Sequence, residues 1–269
     1  MMIQNNLMWK VRRGTQTNII LIWGCFITLL FLPWKSEAIG EASNLHLVQL
    51  LYKSAGTALP RPNGLKRLAW ELEKRTSLDV KLTPVLLKLN DKVLFEYPFL
   101  YLGGDKGFKP LTESEMQRLH RFLIFGGFLL IDSADARPGG DFDKSVRELI
   151  AQVFPKAQLK KVSKQHSLYS SFYLMSEAVG RVSAVPGWEA VELNGRIVIL
   201  YSQNDLAGAW AQDNLGQWDY NVYPGDDQQR EQAIRWGVNI LMYALCGNYK
   251  ADQVHVPFLL KRRQWKVTP

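Results

Sequence analysis

The chain has 269 residues, of which 47% are hydrophobic, and a formal net charge of +8. This length allows one large domain or two small ones, and the composition excludes a disordered or fibrous protein. The basic residues form no stripe interleaved with aromatic residues, so nucleic acid is not an expected partner.

The first 38 residues have the layout of a secretory signal peptide. Lys10, Arg12 and Arg13 precede an apolar run over residues 19–34, and a small-x-small pattern ends at Ala38. The run is about 15 residues long, shorter than the roughly 20 that a spanning helix needs. We therefore predict cleavage after residue 38 and a periplasmic or secreted protein. The alternative is an uncleaved inner-membrane anchor through residues 19–34.

Cleavage would leave Cys246 as the only cysteine, so no internal disulfide could form. Cys246 lies near the end of an apolar helix pattern, and we interpret it as a buried packing residue. A basic tail follows, with Lys261, Arg262, Arg263 and Lys266. This tail is compatible with peripheral contact with anionic lipid, and the alternative is a solvated terminus.

Strand and helix signals begin at the start of the mature chain. Residues 45–52 form an apolar run that predicts the first strand, and Asn63 can cap the helix that follows. Residues 80–89 alternate between apolar and polar around Pro84, which predicts an edge strand or a bulge.

The next segment predicts a strand, a helix and a second strand. Residues 99–102 are continuously apolar, as in a parallel strand buried on both faces. Thr112 and Glu115 have the spacing of a capping box, and Gly126 can end that helix. Residues 128–131 form another buried strand.

The second half contains one more predicted helix, capped by Asp141 or Asp143, and then a hairpin over residues 189–201. Asn194 and Gly195 form its turn, because this dipeptide suits two positions with positive φ. Residues 206–225 are interpreted as a polar, aromatic-rich loop, and residues 228–246 as a long amphipathic helix.

Helices that alternate with apolar strands predict an α/β protein with a mainly parallel sheet covered on both faces. The sequence contains no internal repeat and no low-complexity linker. We therefore expect residues 39–269 to form a single domain.

Six segments occur in a fixed order along this part of the chain: EYPFLYLGGDKGF, GGFLLIDSAD, FDKSVRELIAQVFP, QHSLYSSFY, VILYSQNDLAGAW and GVNILMYALCGNYKADQVHVPF. Together they resemble the bacterial domain-of-unknown-function 4159 family over residues 45–258. The resemblance implies a flavodoxin-like three-layer sandwich, similar in fold to the class I glutamine amidotransferases. Members of this family are often encoded near MoxR-type ATPases and membrane proteins with von Willebrand A domains, which implies an envelope protein partner. The family has no established activity.

Polar residues follow the predicted strands where their carboxyl ends should meet, and ligands of open α/β sheets sit at such ends. The candidate ligand-binding residues are Gly103, Gly104, Asp105, Asp132, Ser133, Asp135, Asn204 and Asp205. Trp210 joins them from the aromatic loop, which predicts a recognition surface or, alternatively, a small satellite core.

The candidate catalytic residues are Ser133, Asp132 and His166. True amidotransferases place a nucleophilic Cys at a sharp strand-to-helix turn, whereas here Ser133 stands at the corresponding place and no glycine flanks it. A Ser133–His166 pair oriented by an Asp would form an acyl-transfer site, which is the hydrolase alternative.

The acidic residues could bind a hard cation, but their spacing matches no calcium loop. Gly103 and Gly104 could approach an anion, but they do not form the G-x-G-x-x-G pattern. We therefore predict no metal and no cofactor. The leading hypothesis is an exported cell-envelope protein that acts as a non-catalytic ligand- or protein-binding module.

Overall fold

The computed structural model describes residues 44–53, 56 and 59–246. Its seven strands are β1 (Leu45–Leu50), β2 (Val80–Leu87), β3 (Phe99–Gly104), β4 (Phe128–Ser133), β5 (Lys160–Lys161), β6 (Glu189–Leu193) and β7 (Arg196–Ser202). They form one sheet in the order β2-β1-β3-β4-β7-β6-β5. The first five strands of this order are parallel, and β6 runs antiparallel to both β7 and β5.

The helices are α1 (Gly64–Arg75), α2 (Glu113–Ile124), α3 (Asp141–Val153), α4 (Leu206–Trp210) and α5 (Asp226–Cys246). Two short 3-10 turns cover Lys92–Glu96 and Ser167–Ser170. The helices α1, α4 and α5 pack on one face of the sheet, while α2 and α3 pack on the other. The predicted flavodoxin-like three-layer sandwich is therefore confirmed.

Alternation along the strands divides the apolar residues between two cores. In β3, Phe99 and Tyr101 face the core under α1 and α5, whereas Leu100 and Leu102 face the core under α2 and α3. All four side chains are buried. Because both faces of the sheet are covered, the strand is continuously apolar rather than alternating.

Local signals act as the sequence predicts. Thr112 and Glu115 form a complete capping box at the start of α2. Asn194 and Gly195 have φ values of 52° and 78°, as the hairpin turn requires. Pro84 lies in an edge strand, β2, and the register between β1 and β2 shifts beside it.

Three local predictions differ from the structure. The predicted aromatic loop begins with the buried helix α4, and Cys246 is exposed at the end of α5 rather than buried. Asp141 and Asp143 are the first and third residues of α3 rather than its cap, since Gly140 occupies the N-cap position.

Within the described ranges, no helix has the length and apolarity needed to cross a membrane. The predicted signal peptide or anchor over residues 1–38 lies outside those ranges. The basic tail with Lys261, Arg262, Arg263 and Lys266 does so as well. The interpretations of both segments stay predictions.

Candidate functional site

The predicted strand-end residues lie side by side at the carboxyl edge of the sheet. Gly103 pairs with Asp132, and Gly104 pairs with Ser133, across β3 and β4. Asp132 in turn pairs with Ser202 at the end of β7, and Asn204 and Asp205 follow directly. Parallel strands thus gather their polar ends at one edge, as the sequence predicts.

Asp132 is fully buried and serves as a structural acceptor. Its two carboxylate oxygens accept hydrogen bonds from the backbone N–H groups of Leu206 and Ala207, each at 2.9 Å, and the Tyr101 hydroxyl donates a third at 3.1 Å. Burial, together with the neighbouring charge of Asp205, raises the pKa of Asp132 to about 6. Asp132 thus uses its carboxylate oxygens mainly to bind the first turn of α4.

Asp205 is also buried, and its negative charge is neutralised by two arginines. Its backbone has φ 57°, and its side chain accepts a hydrogen bond from the N–H of Gly208, which caps α4. The Arg61 guanidinium binds both carboxylate oxygens, at 2.7 Å in its shortest contact, and Arg181 binds the same carboxylate. Asp205 therefore joins α4 to the loops that carry the two arginines.

Arg61 reaches the end of β4 as well as Asp205. Its Nη2 donates to the carbonyl oxygen of Ala134 at 3.1 Å, and its guanidinium stacks on the ring of Tyr220 at 4.0 Å from the ring centroid. Burial alone would lower the pKa of Arg61, but the hydrogen bonds and charge of Asp205 raise it above its ordinary value. This arginine remains charged and is held in place by the fold.

The structure does not assemble the Ser133–His166 pair. The Ser133 hydroxyl donates to Asp135 at 2.5 Å. The His166 ring packs 5.3 Å from the Tyr243 ring, and the Tyr243 hydroxyl accepts a hydrogen bond from the N–H of Ile197 at the opposite end of β7. At about 3.3 Å per residue, this places His166 roughly 20 Å along the strands from the level of Ser133.

His166 has a structural role at that distant end. Its Nδ1 accepts a hydrogen bond from the N–H of Leu168 at 3.1 Å and so caps a 3-10 turn. In addition, residues 134–140 separate Ser133 from α3, so the chain makes no sharp strand-to-helix elbow there. The structure therefore does not bring Ser133, Asp132 and His166 together in one place.

Asn204 and Trp210 are core residues rather than exposed ligand contacts. The Asn204 amide donates to the carbonyl oxygens of Ala178 and Val185 and accepts a hydrogen bond from the N–H of Val185. Trp210 is fully buried, and its indole N–H donates to the carbonyl oxygen of Ala233 at 2.7 Å. Trp210 therefore contributes to the core, as the alternative interpretation of the aromatic loop predicts, while Tyr223 of the same segment is 72% exposed.

Gly103 and Gly104 make room for aromatic side chains of the protein itself. A Cβ atom on Gly104 would overlap the rings of Phe142 and Tyr52, and a Cβ on Gly103 would overlap Tyr101. The Tyr52 hydroxyl donates to the carbonyl oxygen of Gly103 at 2.8 Å. The two glycines are therefore needed for internal packing.

Asp105 and Asp135 are the predicted residues that remain half-buried at this edge. Asp105 lies against Gly56, and Asp135 accepts the Ser133 hydroxyl hydrogen bond. Among the described residues, no group of three or more His, Cys, Asp or Glu side chains could hold a metal ion.

An open crevice lies beside these residues, between the ends of β1 and β3. The chain leaves β1 through α1 toward β2 on one side, and leaves β3 through α2 toward β4 on the other. The strand order therefore reverses at this point, which is where flavodoxin-like sheets bind their ligands. The crevice has a volume of about 700 Å³.

Four lysines line this switch-point crevice: Lys53, Lys106, Lys109 and Lys144. Asp141 is the one acidic residue among the described residues of its lining, and it pairs with Lys144 at 3.7 Å. Phe108 contributes an apolar wall and packs edge-on against Tyr52 at 5.0 Å between ring centroids. The site is thus a basic crevice with an aromatic side.

Sequence reasoning missed these lysines because it followed acidic and glycine residues. The available signal was that Lys53, Lys106 and Lys109 come shortly after the ends of β1 and β3. Their convergence depends on the strand order, which the sequence does not state directly.

This architecture defines an α/β protein of the flavodoxin-like sandwich class, with a basic crevice at the switch point of its sheet. Residues 46–245 match the model of a domain of unknown function (DUF4159), and the chain belongs to this family. The family resemblance is confirmed, while the closer similarity to amidotransferases stays a prediction. A comparison with curated proteins finds no match.

Proposed function

We propose that this chain is an exported, non-catalytic binding module that holds an anionic ligand in the switch-point crevice. The observation that best supports this proposal is the set of four lysines at the place where the strand order reverses. A crevice lined by one sign of charge raises the local concentration of oppositely charged ligands.

The surrounding charges favour this assignment. Lys53, Lys106 and Lys109 form no ion pair with another side chain of the described ranges, and Asp141 offsets only part of the charge of Lys144. The nearby buried carboxylates, Asp132 and Asp205, already accept hydrogen bonds from α4 or pair with arginines. Within the lining of the crevice, lysines therefore dominate the charge that an incoming ligand meets.

A binding role rather than catalysis is supported by the separation of the candidate catalytic groups. A general base must come within hydrogen-bond reach of its nucleophile, directly or through one water. His166 packs against Tyr243 near the start of β7, whereas the Ser133 hydroxyl bonds to Asp135 near the end of β4. No observation favours the hydrolase alternative, and we do not propose it.

Localisation in the envelope rests on the signal-peptide pattern of residues 1–38. Within the envelope, the family resemblance suggests a partner from the systems of MoxR-type ATPases and von Willebrand A membrane proteins. An acidic group on such a partner is one form of the anion that we assign to the crevice. The basic tail with Lys261, Arg262, Arg263 and Lys266 would add peripheral contact with anionic lipid.

Inorganic pyrophosphate is a suitable first probe of the crevice because it is a compact polyanion. We expect saturable shifts of the backbone amides of residues 104–109 in an NMR titration. The Lys106→Glu/Lys109→Glu variant should bind about tenfold more weakly or worse, because two attractive charges become repulsive.

The matched control is Lys92→Glu/Lys156→Glu. This variant makes the same change of net charge at two exposed positions outside the crevice. It should bind pyrophosphate like the unmodified protein. Equal weakening in both variants, or no saturable shift in the unmodified protein, would contradict the proposal.

A further inference from the structure

A second cavity, of about 290 Å³, lies at the carboxyl edge beyond β7 and shares no lining residue with the switch-point crevice. Arg147 of α3 and Gln203, just after β7, form one side. Lys161 and Lys164 form another, and Val162, Tyr169 and residues 185–189 complete the lining. The cavity is thus built where the antiparallel strands β5 and β6 extend the parallel sheet.

Buried side chains hold the walls of this cavity in place. Asn204, fully buried, fixes Val185 through hydrogen bonds to both its N–H and its carbonyl oxygen, at 2.9 Å each. The Trp188 ring is fully buried and packs edge-on against Trp236 at 5.1 Å between ring centroids. Tyr169 packs on the same tryptophan at 4.9 Å. The shape of the cavity is therefore set by the core rather than by free loops.

Two polar atoms in the cavity walls have no hydrogen-bond partner among the described residues. They are Oε1 of Gln203 and the indole N–H of Trp188, on side chains that are 4% and 0% exposed. The other end of the Gln203 amide donates to Glu189 at 3.0 Å, which fixes its orientation. Buried polar groups are nearly always paired in folded proteins, so two unpaired groups in side chains that line one cavity set its walls apart from the rest of the core.

The charged groups of the lining are mainly cationic. Arg147 is neutralised by Asp143 at 3.0 Å and by Glu189 at 2.8 Å. Lys161 and Lys164 are exposed and form no ion pair with a side chain of the described ranges. Burial raises the pKa of Tyr169, so its hydroxyl stays neutral and can donate a hydrogen bond. Donors thus outnumber acceptors around the cavity.

The remaining walls are apolar or neutral. Val162, Val185 and Pro186 line the cavity beside the tryptophan. Ligand sites typically combine such apolar walls with a few convergent polar groups. A ligand here needs a small apolar body and one negatively charged group that two lysines can reach.

The geometry points to a binding site for a small organic carboxylate, of the kind found at the end of a peptide or on a free amino acid. Its carboxylate would lie between Lys161 and Lys164, and its body would pack on Val185 and Pro186. This site is independent of the anion site proposed for the switch-point crevice, since the two share no residue.

The test is isothermal titration with N-acetyl-alanyl-alanine and with its C-terminal amide, which differ only in the carboxylate. We expect saturable binding of the acid and at least about tenfold weaker binding of the amide, because a charge-assisted hydrogen bond is lost. Free alanine in a parallel titration distinguishes the sources. Tighter binding of alanine assigns the site to amino acids, and tighter binding of the dipeptide assigns it to peptide ends.

Two double variants test whether the acid binds in this cavity. Lys161→Gln/Lys164→Gln removes two exposed side-chain charges and should weaken binding of the acid about tenfold. Lys106→Glu/Lys109→Glu alters only the switch-point crevice and should leave binding of the acid unchanged. This variant therefore separates a failure of the carboxylate site from a failure of the crevice proposal. Equal binding of acid and amide would overturn the inference. Unaltered affinity in Lys161→Gln/Lys164→Gln, or no saturable binding of any of the three compounds, would overturn it as well.

Discussion

Asp132 shows how one buried carboxylate can organise the centre of the carboxyl edge. No cationic side chain of the described residues pairs with it, although Asp205 close by pairs with two arginines. Two N–H groups at the start of α4 and the Tyr101 hydroxyl stabilise its charged form, yet burial and the charge of Asp205 outweigh them. The result is an acid whose pKa, about 6, lies above its ordinary value.

Stability should therefore depend on pH through Asp132. The folded protein holds this proton more tightly than the unfolded chain, since the pKa rises from 3.8 to about 6 on folding. This contribution to the free energy of unfolding is fully present below pH 3.8 and is lost as the pH rises through about 6. The total loss is about 3 kcal/mol.

Urea unfolding at a series of pH values measures this loss. Asp132→Asn cannot titrate, so its free energy of unfolding should lack the decline between pH 4 and pH 7 that the unmodified protein shows. Asp227→Asn changes a carboxylate that is 94% exposed and should keep the decline. Parallel curves for the Asp132 variant and the unmodified protein would refute this role for Asp132.

The sequence identified several edge residues but not what each one does. Trp210 illustrates why: its neighbours in sequence are polar and aromatic, as in a surface loop, yet the indole is fully buried under α5. The same holds for Asn204, whose amide binds a segment about twenty residues away in sequence. Such contacts come from tertiary structure, which local composition does not encode.

At the scale of helices, strands and turns, sequence signals that span only a few residues were sufficient to predict several elements. The capping box of α2 and the Asn194–Gly195 turn depend on side chains and backbone angles inside one short segment. The helix α4 was missed because its first turn is stabilised from elsewhere, by Asp132 on β4 and by the positive φ of Asp205. A helix of five residues has little intrinsic stability without such support.

The hairpin turn offers a clean test of a backbone effect. Gly195 has φ 78°, and a Cβ atom placed there would have no heavy atom within 4 Å, so Gly195→Ala should cost about 1 kcal/mol through backbone strain alone. Gly187 has the same open surroundings without a positive φ. Gly187→Ala should accordingly leave the free energy of unfolding unchanged or slightly higher. Equal effects of the two substitutions in thermal unfolding would argue against strain at the turn.

For the whole molecule, the parallel sheet and its two covered faces followed from the order of apolar strands and amphipathic helices. The location of the crevice could not be predicted from that order, because the switch point depends on β1 lying between β2 and β3 in the sheet. Several strand orders are compatible with the same succession of elements. The lysines that converge from two loops could be recognised only once this order was known.

The two anion sites should respond differently to salt. Lysines of the open crevice are exposed, so screening should weaken pyrophosphate binding several-fold between about 0.05 and about 0.5 M salt. Lys161 and Lys164 are exposed as well, but N-acetyl-alanyl-alanine carries one negative charge where pyrophosphate carries several, so its affinity should fall less over the same range. Titrations of both compounds in one salt series measure the contrast. A steeper fall for the dipeptide would contradict it.

The two margins of the sheet have a consequence for how copies of this protein meet. One margin is β5, which has only two residues, both lysines, and the other is β2, which is interrupted by Pro84. Short, charged or proline-containing margins disfavour the strand-to-strand docking that begins aggregation. Neighbouring copies are therefore not expected to join their sheets edge to edge into one continuous β-structure, even at high protein concentration.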